Sequence, residues 1–559
     1  MRESRELPLT TIDEARRYRT CGAWPDETTY ERFERIATKH LGKVAIIEAG
    51  RSWTYGEVLE EVRALSRGLR AAGIAQGEVV SVQLSNSAMH AISHLALNRI
   101  GALAMPVHDS WHEAELPHLL KVSRTVAAII PGTYRGLDYA ALYADLRSQL
   151  PNLRAVYAMD GAGLNAQAYS SLLTVREGEG EIAATRIDPD LPGALMLSSG
   201  TTSMPKISLF SSNNLHALLA PFWSRIQLRE TDVGAALAPV GTGAIGYVYP
   251  LLSPLLNGAT TAILERWTEP QVAVDLIRRN RCTYATAVPA QITQMLPIIQ
   301  AAPRSDFDSF RCFTNAGAPL APEVGSQIEE HMDCKIFVIY GATDGGVAAS
   351  SDINDPQEKR LGSVGRAQDE CEIRLVDEIG QEVEPGQTGE IQWRSADKSY
   401  GYLNDPEATA MAFNRERFYR TGDLGVLDAE GYLRIVGRVK DMIIRGGRNI
   451  SPRLIEEMVA RHPQVLDVAV AAYPDKVLGE RACAFVVSRP GAQMTLKAML
   501  EFLKNEQMSV WQMPERLELM DELPRSAGGK VMKNKLRQFV ADKVAVEEHV
   551  EAGTMASAV

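Results

Sequence analysis

The sequence predicts an α/β protein with parallel-rich sheets, and three observations carry that reading. From Val44 to Ile339, short β-branched runs alternate with segments of helical apolar spacing, the pattern of strands joined by helical crossovers. From Ser363 to Arg394 the runs become short and turn-rich, ending E-I-R-L-V-D-E-I-G-Q-E-V-E-P-G-Q-T-G-E-I-Q-W, which is antiparallel β character. Beyond Gly437 the pattern changes again, to a small α+β piece. The expected division is a large N-terminal domain over residues 1–437, with a β-rich, barrel-like subdomain at about 360–437. A smaller C-terminal domain follows at 438–545, then a flexible tail at 546–559 ending E-A-G-T-M-A-S-A-V.

The elements follow in order. Apolar spacing is mostly helical from Tyr30 to Leu69, interrupted by strand-like Val44-Ala-Ile-Ile47 and a short piece at Trp53. Gly77 to Leu84 reads as a strand. Ser85 or Asn86 can cap a helix running to about Arg99, and Ala102 to Val107 is the next strand, completing a βαβ unit. Thr125 to Ile130 and Leu153 to Met159 continue the series. Further strands are expected at Ala235–Val240, Ala259–Glu265, Thr283–Val288 and Lys335–Ile339, with a helix at Val272–Arg279. In the last part, a helix from Ile455 and another at Leu496–Asn505 flank strands at Val465–Ala472 and Ala482–Val487.

Composition narrows the function classes. The chain has 559 residues, 45% hydrophobic and 23% charged, enough apolar material for a large core. Its net charge of −11 argues against nucleic acid as the main partner, which a basic face would serve. The six cysteines include no C-x-x-C and no zinc-finger spacing, which fits a reduced, cytoplasmic setting. The N-terminus lacks an apolar core of signal-peptide length. The most apolar stretch, Met89 to Val107, is broken by His90, His94, Asn98 and Arg99, so no membrane partner is expected. His90 and His94 stand at i,i+4 without an H-E-x-x-H, and read as plain helix histidines.

Two glycine-bearing stretches compete as nucleotide sites. Gly241-Thr-Gly-Ala-Ile-Gly246 fits G-x-G-x-x-G, with Glu265 at the spacing of a dinucleotide fingerprint, which alone would suggest an NAD-dependent dehydrogenase. Pro250 and Pro254 disfavour the helix that must follow. The other stretch is L-S-S-G-T-T-S-M-P-K, from Leu197 to Lys206, after a buried-strand ending at Ala194-Leu-Met-Leu197. It is not a P-loop, but it can offer backbone N–H groups, hydroxyls and one ammonium to a single anion. A solvated turn is the plain alternative.

Five further stretches are suited to phosphate and ribose chemistry. They are Asn315-Ala-Gly-Ala-Pro-Leu320, Tyr340-Gly-Ala-Thr-Asp-Gly-Gly346, Tyr419-Arg-Thr-Gly-Asp423, Gly437 to Pro452 (G-R-V-K-D-M-I-I-R-G-G-R-N-I-S-P), and Leu523-Pro-Arg-Ser-Ala-Gly-Gly-Lys530. Their order and separation resemble the adenylate-forming superfamily over roughly residues 30 to 540. That superfamily includes acyl-CoA synthetases, stand-alone acid-activating ligases, adenylation domains and luciferase. The resemblance implies that Ser199, Gly200, Thr201, Thr202 and Lys206 hold the β,γ-phosphates of ATP. Tyr340 and Gly341 would line adenine on one side and Gly317, Ala318 and Pro319 on the other. Thr343 would meet the α-phosphate, and Asp344, with Thr201, would hold Mg²⁺, a hard ion suited to carboxylate and phosphate oxygens. Asp423 and Arg438 would take the ribose. Lys530 would bridge the carboxylate and the α-phosphate, two anions that must be brought together. A small mobile C-terminal domain would turn at Lys440 and bring Gly447 to the thiol.

The chain departs from the family pattern at four places. Ser203 stands for the usual Gly, Ile207 for a frequent Gly, Asp344 for Glu, and Thr242 for a ring side chain in the acyl pocket. No aspartate in that last stretch would pair an α-amino group. The expected activity is ATP-dependent conversion of a carboxylic acid, aromatic or alicyclic, to acyl-AMP and then to acyl-CoA. Loading of a carrier-protein phosphopantetheine is the alternative acceptor. The pocket would draw on Phe222, Gly243, Tyr247, Val288, Gly341 and Gly346. Oligomeric state is left open, a homodimer included.

Overall fold

The structure is a computed structural model. It describes residues 7–556 apart from 113, 162, 164, 176–185, 199–203, 242 and 526–529, with backbone alone at 548–556. The chain divides into two compact units: residues 1–373 with 393–420, and residues 374–392 with 421–559.

The first unit holds two large sheets. One has nine strands, in the order Arg366–Ala367, Gly346–Ser350, Lys335–Ala342, Cys312–Ala316, Tyr284–Ala287, Val233–Ala236, Thr260–Ile263, Val44–Glu48, Arg51–Thr54. Its six inner strands, from Lys335–Ala342 to Val44–Glu48, run parallel, and antiparallel strands close both edges. The other has seven strands, in the order Ile207–Ser211, Pro192–Leu197, Leu103–Val107, Val79–Gln83, Ala127–Ile130, Ala155–Ala158, Gln167–Ala168. It is parallel apart from the Pro192–Leu197/Ile207–Ser211 pair.

The βαβ expectation for residues 77–107 holds: the strand Val79–Gln83, the helix Ala88–Arg99 and the strand Leu103–Val107 are in place. The largest cluster of buried apolar side chains draws on both sheets (Val80 and Ala104 from one, Ile46 and Ala236 from the other). It also takes in helices Tyr55–Ala71, Ala88–Arg99 and Ser212–Arg225. Ala88–Arg99 therefore has core on every side, and all of its residues but Arg99 are buried. That layer explains why His90 and His94 lie in the interior rather than on a helix surface.

Two local expectations are corrected, the cap and a strand boundary, while the absence of a long helix after Gly246 is as Pro250 and Pro254 imply. The cap of Ala88–Arg99 is Ser87, with no side-chain bond. Asn86 is used elsewhere: its amide donates to the carbonyls of Ala238 and Leu264 and accepts from the Val240 N–H. The strand expected at Ala235–Val240 runs Val233–Ala236, because Pro239 has no N–H to donate and Val240 donates to Asn86 instead of a neighbouring strand. After Gly246 the chain makes a π-helical turn, Val248–Leu252, and a three-residue helix, Ser253–Leu255, rather than the long helix of a dinucleotide fold.

The second unit is built on a five-stranded sheet. Arg448–Ile450, Ile443–Arg445, Gly479–Ser488 and Val465–Asp475 lie in that order, and Arg516–Leu519 runs parallel to Gly479–Ser488. Helices Pro452–Val459 and Leu496–Asn505 cover one face through Ile455, Val459, Met499 and Leu503. Leu536 and Val540 of the C-terminal helix pack with Cys483 and Phe485. That helix, Lys533–Ala556, runs through most of the stretch that composition suggested as a frayed tail. A further sheet has the order Cys371–Val376, Gly389–Ser395, Tyr419–Leu427, Leu433–Arg438, its last pair antiparallel with Asp423 facing Arg438. Among the described residues no helix is long and apolar enough to cross a membrane.

Candidate active site

The residues singled out in the sequence divide between the two units. In the first, the strand Lys335–Ala342 extends past Ile339 through Tyr340 and Gly341, at the carboxyl end of the parallel array. The turn that follows, Thr343-Asp-Gly-Gly346, leads into the antiparallel strand Gly346–Ser350. Ligands of open α/β sheets gather at such carboxyl ends. Asn315-Ala-Gly317 ends the neighbouring strand, with Asn315 paired to Val338. Gly317 is exposed there with φ +87°, Ala318 is half-buried and Pro319 exposed.

The Thr343–Gly346 turn is held by residues 393–419. The Trp393 indole N–H donates to the Gly345 carbonyl at 2.7 Å, and the Ser399 N–H to the Asp344 carbonyl at 3.3 Å. The Asp397 carboxylate accepts from the Val347 N–H at 2.8 Å and from the Ser395 hydroxyl at 2.5 Å. Burial pushes the Asp397 carboxyl up to about 6 despite these donors. Gly346 has φ +80°, and a Cβ there would lie 2.5 Å from Asp397 Oδ1, so both space and backbone demand glycine. Tyr340 is buried, its ring edge-on to Trp393 with centroids 5.7 Å apart.

Asp344 is buried, and two phenols donate to it: Tyr402 to Oδ2, and Tyr419 to Oδ1 at 3.1 Å. Burial first, and the Asp344 charge second, hold both phenols above their ordinary range, so they stay protonated donors. A carboxylate has about four acceptor positions. Two remain, which fits a cation held through one carboxylate and the oxygens of a bound phosphate. Among the described residues no cluster of three or more ligating side chains could hold a metal by itself.

Ser199, Gly200, Thr201, Thr202, Ser203 and Thr242 lie outside the described residues. At the ends of the first stretch, the Ser198 N–H donates to the Lys206 carbonyl at 2.9 Å and the Lys206 N–H to Ser198 Oγ at 3.1 Å. Lys206 Nζ lies 4.6 Å from the centre of the Tyr402 ring.

Of the residues expected to line the acyl pocket, Gly243 lies against the Thr343 turn: a Cβ there would lie 2.8 Å from Thr343 Oγ1. Tyr247 is buried, with the rings of His90 and His94 edge-on at 6.3 and 5.8 Å. Burial lowers both imidazoles to about 4, so they are neutral. Phe222 sits in a different ring cluster, with Tyr249, Tyr284 and Phe337. Val288 is the N-cap of Pro289–Ala301 and donates its N–H to Gln291.

In the second unit, Arg438 Nε donates to Asp423 Oδ1 at 2.6 Å across the strand pair, and Asp423 is largely buried. Lys440 lies in the short turn Val439–Asp441, where its carbonyl accepts from Arg537. Gly446 and Gly447, φ +55° and +77°, form the two-residue link between Ile443–Arg445 and Arg448–Ile450, a turn that needs positive φ at both positions. Lys530 is half-buried between Arg525 and Val531, which bridge each other ahead of the C-terminal helix.

Sequence reasoning missed Trp393, Asp397 and Tyr402, and it placed Tyr419 in the Asp423 stretch without its link to Asp344. Tyr402 and Tyr419 stand 58 and 75 positions from Asp344, and no periodicity connects such separations.

Comparison with known families gives the class. The model of the AMP-binding enzymes matches residues 33–403, and that of the AMP-binding enzyme C-terminal domain matches 454–530. The chain belongs to the AMP-binding enzyme family: it is an adenylate-forming enzyme, an acid–thiol ligase by class, and ATP is its nucleotide. The medium-chain fatty-acid–CoA ligase of Escherichia coli K12 is 30% identical over 96% of this chain and 95% of its own length. The indoleacetate–CoA ligase of Aromatoleum aromaticum is 31% identical over 93% and 99%. ATP-bound MatB from Rhodopseudomonas palustris superposes with a TM-score of 0.82 at 26% identity, covering 92% of this chain and 99% of that one.

Proposed function

We propose that this enzyme activates a ring-bearing carboxylic acid, aromatic or alicyclic, and transfers it to coenzyme A. The acid's carboxylate attacks the α-phosphorus of ATP, and pyrophosphate leaves. The thiol of CoA then attacks the acyl carbon of the adenylate and AMP leaves. The contact of Gly243 with Thr343 carries the reading: a Cβ on Gly243 would fall 2.8 Å from Thr343 Oγ1. A segment assigned to the acid thus abuts the residue assigned to the α-phosphate, as in-line attack requires. The ring character of the acid is supported by Tyr247 with its two neutral imidazole neighbours, and by the indoleacetate–CoA ligase among the relatives.

On this reading Thr201, Thr202 and Lys206 hold the β,γ-phosphates, and Tyr340 with Gly317 and Ala318 encloses adenine. Asp423 accepts from the ribose hydroxyls beside Arg438. Asp344 holds Mg²⁺ together with the phosphates, and the ion supplies charge neutralisation there. Lys530 neutralises the two anions during adenylation, a role that suits a long, flexible ammonium. Residues 438–545 act as the moving domain on the Lys440 hinge and exchange Lys530 for Gly447 at the site.

The test is a panel of acids with ATP and Mg²⁺, read by pyrophosphate release. Release with benzoate-like or alicyclic acids, and thioester formation with CoA, is the expected result. Release with a medium-chain fatty acid alone would overturn the ring assignment. Adenylate formation without CoA thioester, but with a phosphopantetheinylated carrier accepting the acyl group, would overturn the CoA assignment.

A further inference from the structure

Tyr402 belongs to none of the motifs assigned to ATP, yet its side chain touches residues of two of them. Its hydroxyl donates to Asp344 Oδ2, and its ring lies under Lys206 Nζ at 4.6 Å. The backbone around it leaves little freedom. The Leu403 N–H donates to the Ile207 carbonyl at 2.8 Å, the Leu209 N–H to the Gly401 carbonyl at 3.1 Å, and the Tyr400 N–H to the Leu209 carbonyl at 2.8 Å. Residues 400–403 thus lie antiparallel against Ile207–Ser211, the strand that begins directly after Lys206, with Tyr402 bridged to Ser208. The Tyr402 N–H itself donates to Thr409 Oγ1 at 2.9 Å. The same stretch grips the Asp344 turn through Ser399 and Asp397.

We infer that Tyr402 is a positioning residue that sets the Asp344 carboxylate and the Lys206 ammonium relative to each other, its hydroxyl acting on Asp344 and its ring on Lys206. The inference rests on the proposed roles of Asp344 toward Mg²⁺ and Lys206 toward the phosphates. The physical case has two halves. A carboxylate that meets a metal is oriented by hydrogen-bond donors on its other lone pairs, and removing such a donor typically costs 10–100-fold in metal affinity. A lysine side chain has four rotatable bonds, and an aromatic face confines its ammonium by attraction to the ring. The two halves reside on separate parts of one side chain, so substitutions can divide them.

The test compares wild type, Tyr402→Phe and Tyr402→Leu by calorimetric titration with ATP, once with Mg²⁺ and once in EDTA. Circular dichroism checks that each variant is folded. Tyr402→Phe keeps the ring and is nearly isosteric. It is expected to bind ATP in EDTA as wild type does, and to lose about 10-fold or more of the Mg²⁺-dependent gain in affinity. In an Asp344→Asn background, Tyr402→Phe should cause no further loss, since it acts through that carboxylate. Tyr402→Leu is expected to bind ATP more weakly in EDTA as well, by severalfold, through Lys206. In Lys206→Ala that extra loss should vanish. Wild-type Mg²⁺ dependence in Tyr402→Phe would overturn the hydroxyl half. Equal EDTA affinities in the Phe and Leu variants would overturn the ring half, and should Leu fail to fold, Tyr402→Met supplies that comparison. Failure of wild type to bind ATP at all would count against the functional reading. Wild-type binding unaltered by the substitutions would count against this inference alone.

Discussion

Replacing Gly346 by alanine tests the packing that holds the Asp344 turn. Two costs add. At φ +80° an L-residue is strained by about 1–2 kcal/mol. The new Cβ would also stand 2.5 Å from Asp397 Oδ1 and 2.7 Å from its Cγ, closer than real Cβ contacts allow. Asp397 is buried and bound to Val347 and Ser395, so yielding breaks the 2.8 Å bond to the Val347 N–H. An unmet buried amide costs about 1–3 kcal/mol. The sum is about 2–5 kcal/mol. Gly73→Ala is the control: φ is +81° and nothing lies within 4 Å of its Cβ position, so it bears the backbone term alone. Urea unfolding followed by tryptophan emission suits the comparison. Six of the seven tryptophans (Trp24, Trp53, Trp111, Trp223, Trp267 and Trp393) lie in the first unit. Gly346→Ala should unfold at lower urea than Gly73→Ala, by the equivalent of about 1–3 kcal/mol. The doubly substituted Gly346→Ala/Asp397→Ala should cost less than the two singles together, because they share one contact. Equal midpoints for Gly346→Ala and Gly73→Ala would refute the reasoning.

Other outcomes follow from the same geometry. Lys530→Ala should lower acyl-AMP formation by a factor of about 10²–10³, the range for loss of one charge-stabilising group. It should leave thioester formation from synthetic acyl-AMP near wild type, whereas Gly447→Leu should do the reverse; equal loss in both half-reactions by either variant would contradict the hinge scheme. Burial lowers His94 from 6.5 to about 4 with no compensating partner on either ring nitrogen. The unfolded chain therefore takes up a proton that the folded chain refuses. The stability from this residue is intact above pH 6.5 and falls by roughly 3 kcal/mol as pH drops toward 4. His94→Leu should flatten that part of the acid-unfolding curve while leaving stability at pH 7.5 little changed, and an unaltered slope would show that His94 does not titrate as placed.

Much of the architecture was readable because it is written locally. A period of two or of 3.6 residues marks a strand or a helix wherever it falls, and the alternation from Val44 to Ile339 gave the parallel sheets. Turn chemistry is local as well: a Gly446-Gly447 pair can take the positive φ of a tight link at no steric cost, as it does here. The motifs around Tyr340, Asp423 and Lys530 could be found because each is a few consecutive residues. Boundaries failed where a side chain served a distant partner, as when Asn86 bonded Ala238, Leu264 and Val240 instead of capping the next helix.

What the amino-acid order determined by itself was the α/β class, the succession of elements and the motifs of an acid-activating enzyme. Packing decided the rest. Whether a helix has one apolar neighbour or two depends on which sheets close over it, and only the closed layers put His90 and His94 in the interior. The surroundings of Asp344 were equally invisible. A hydrogen bond between residues 58 positions apart leaves no period in the chain, so the phenols of Tyr402 and Tyr419 appear around that carboxylate only once the strands have paired.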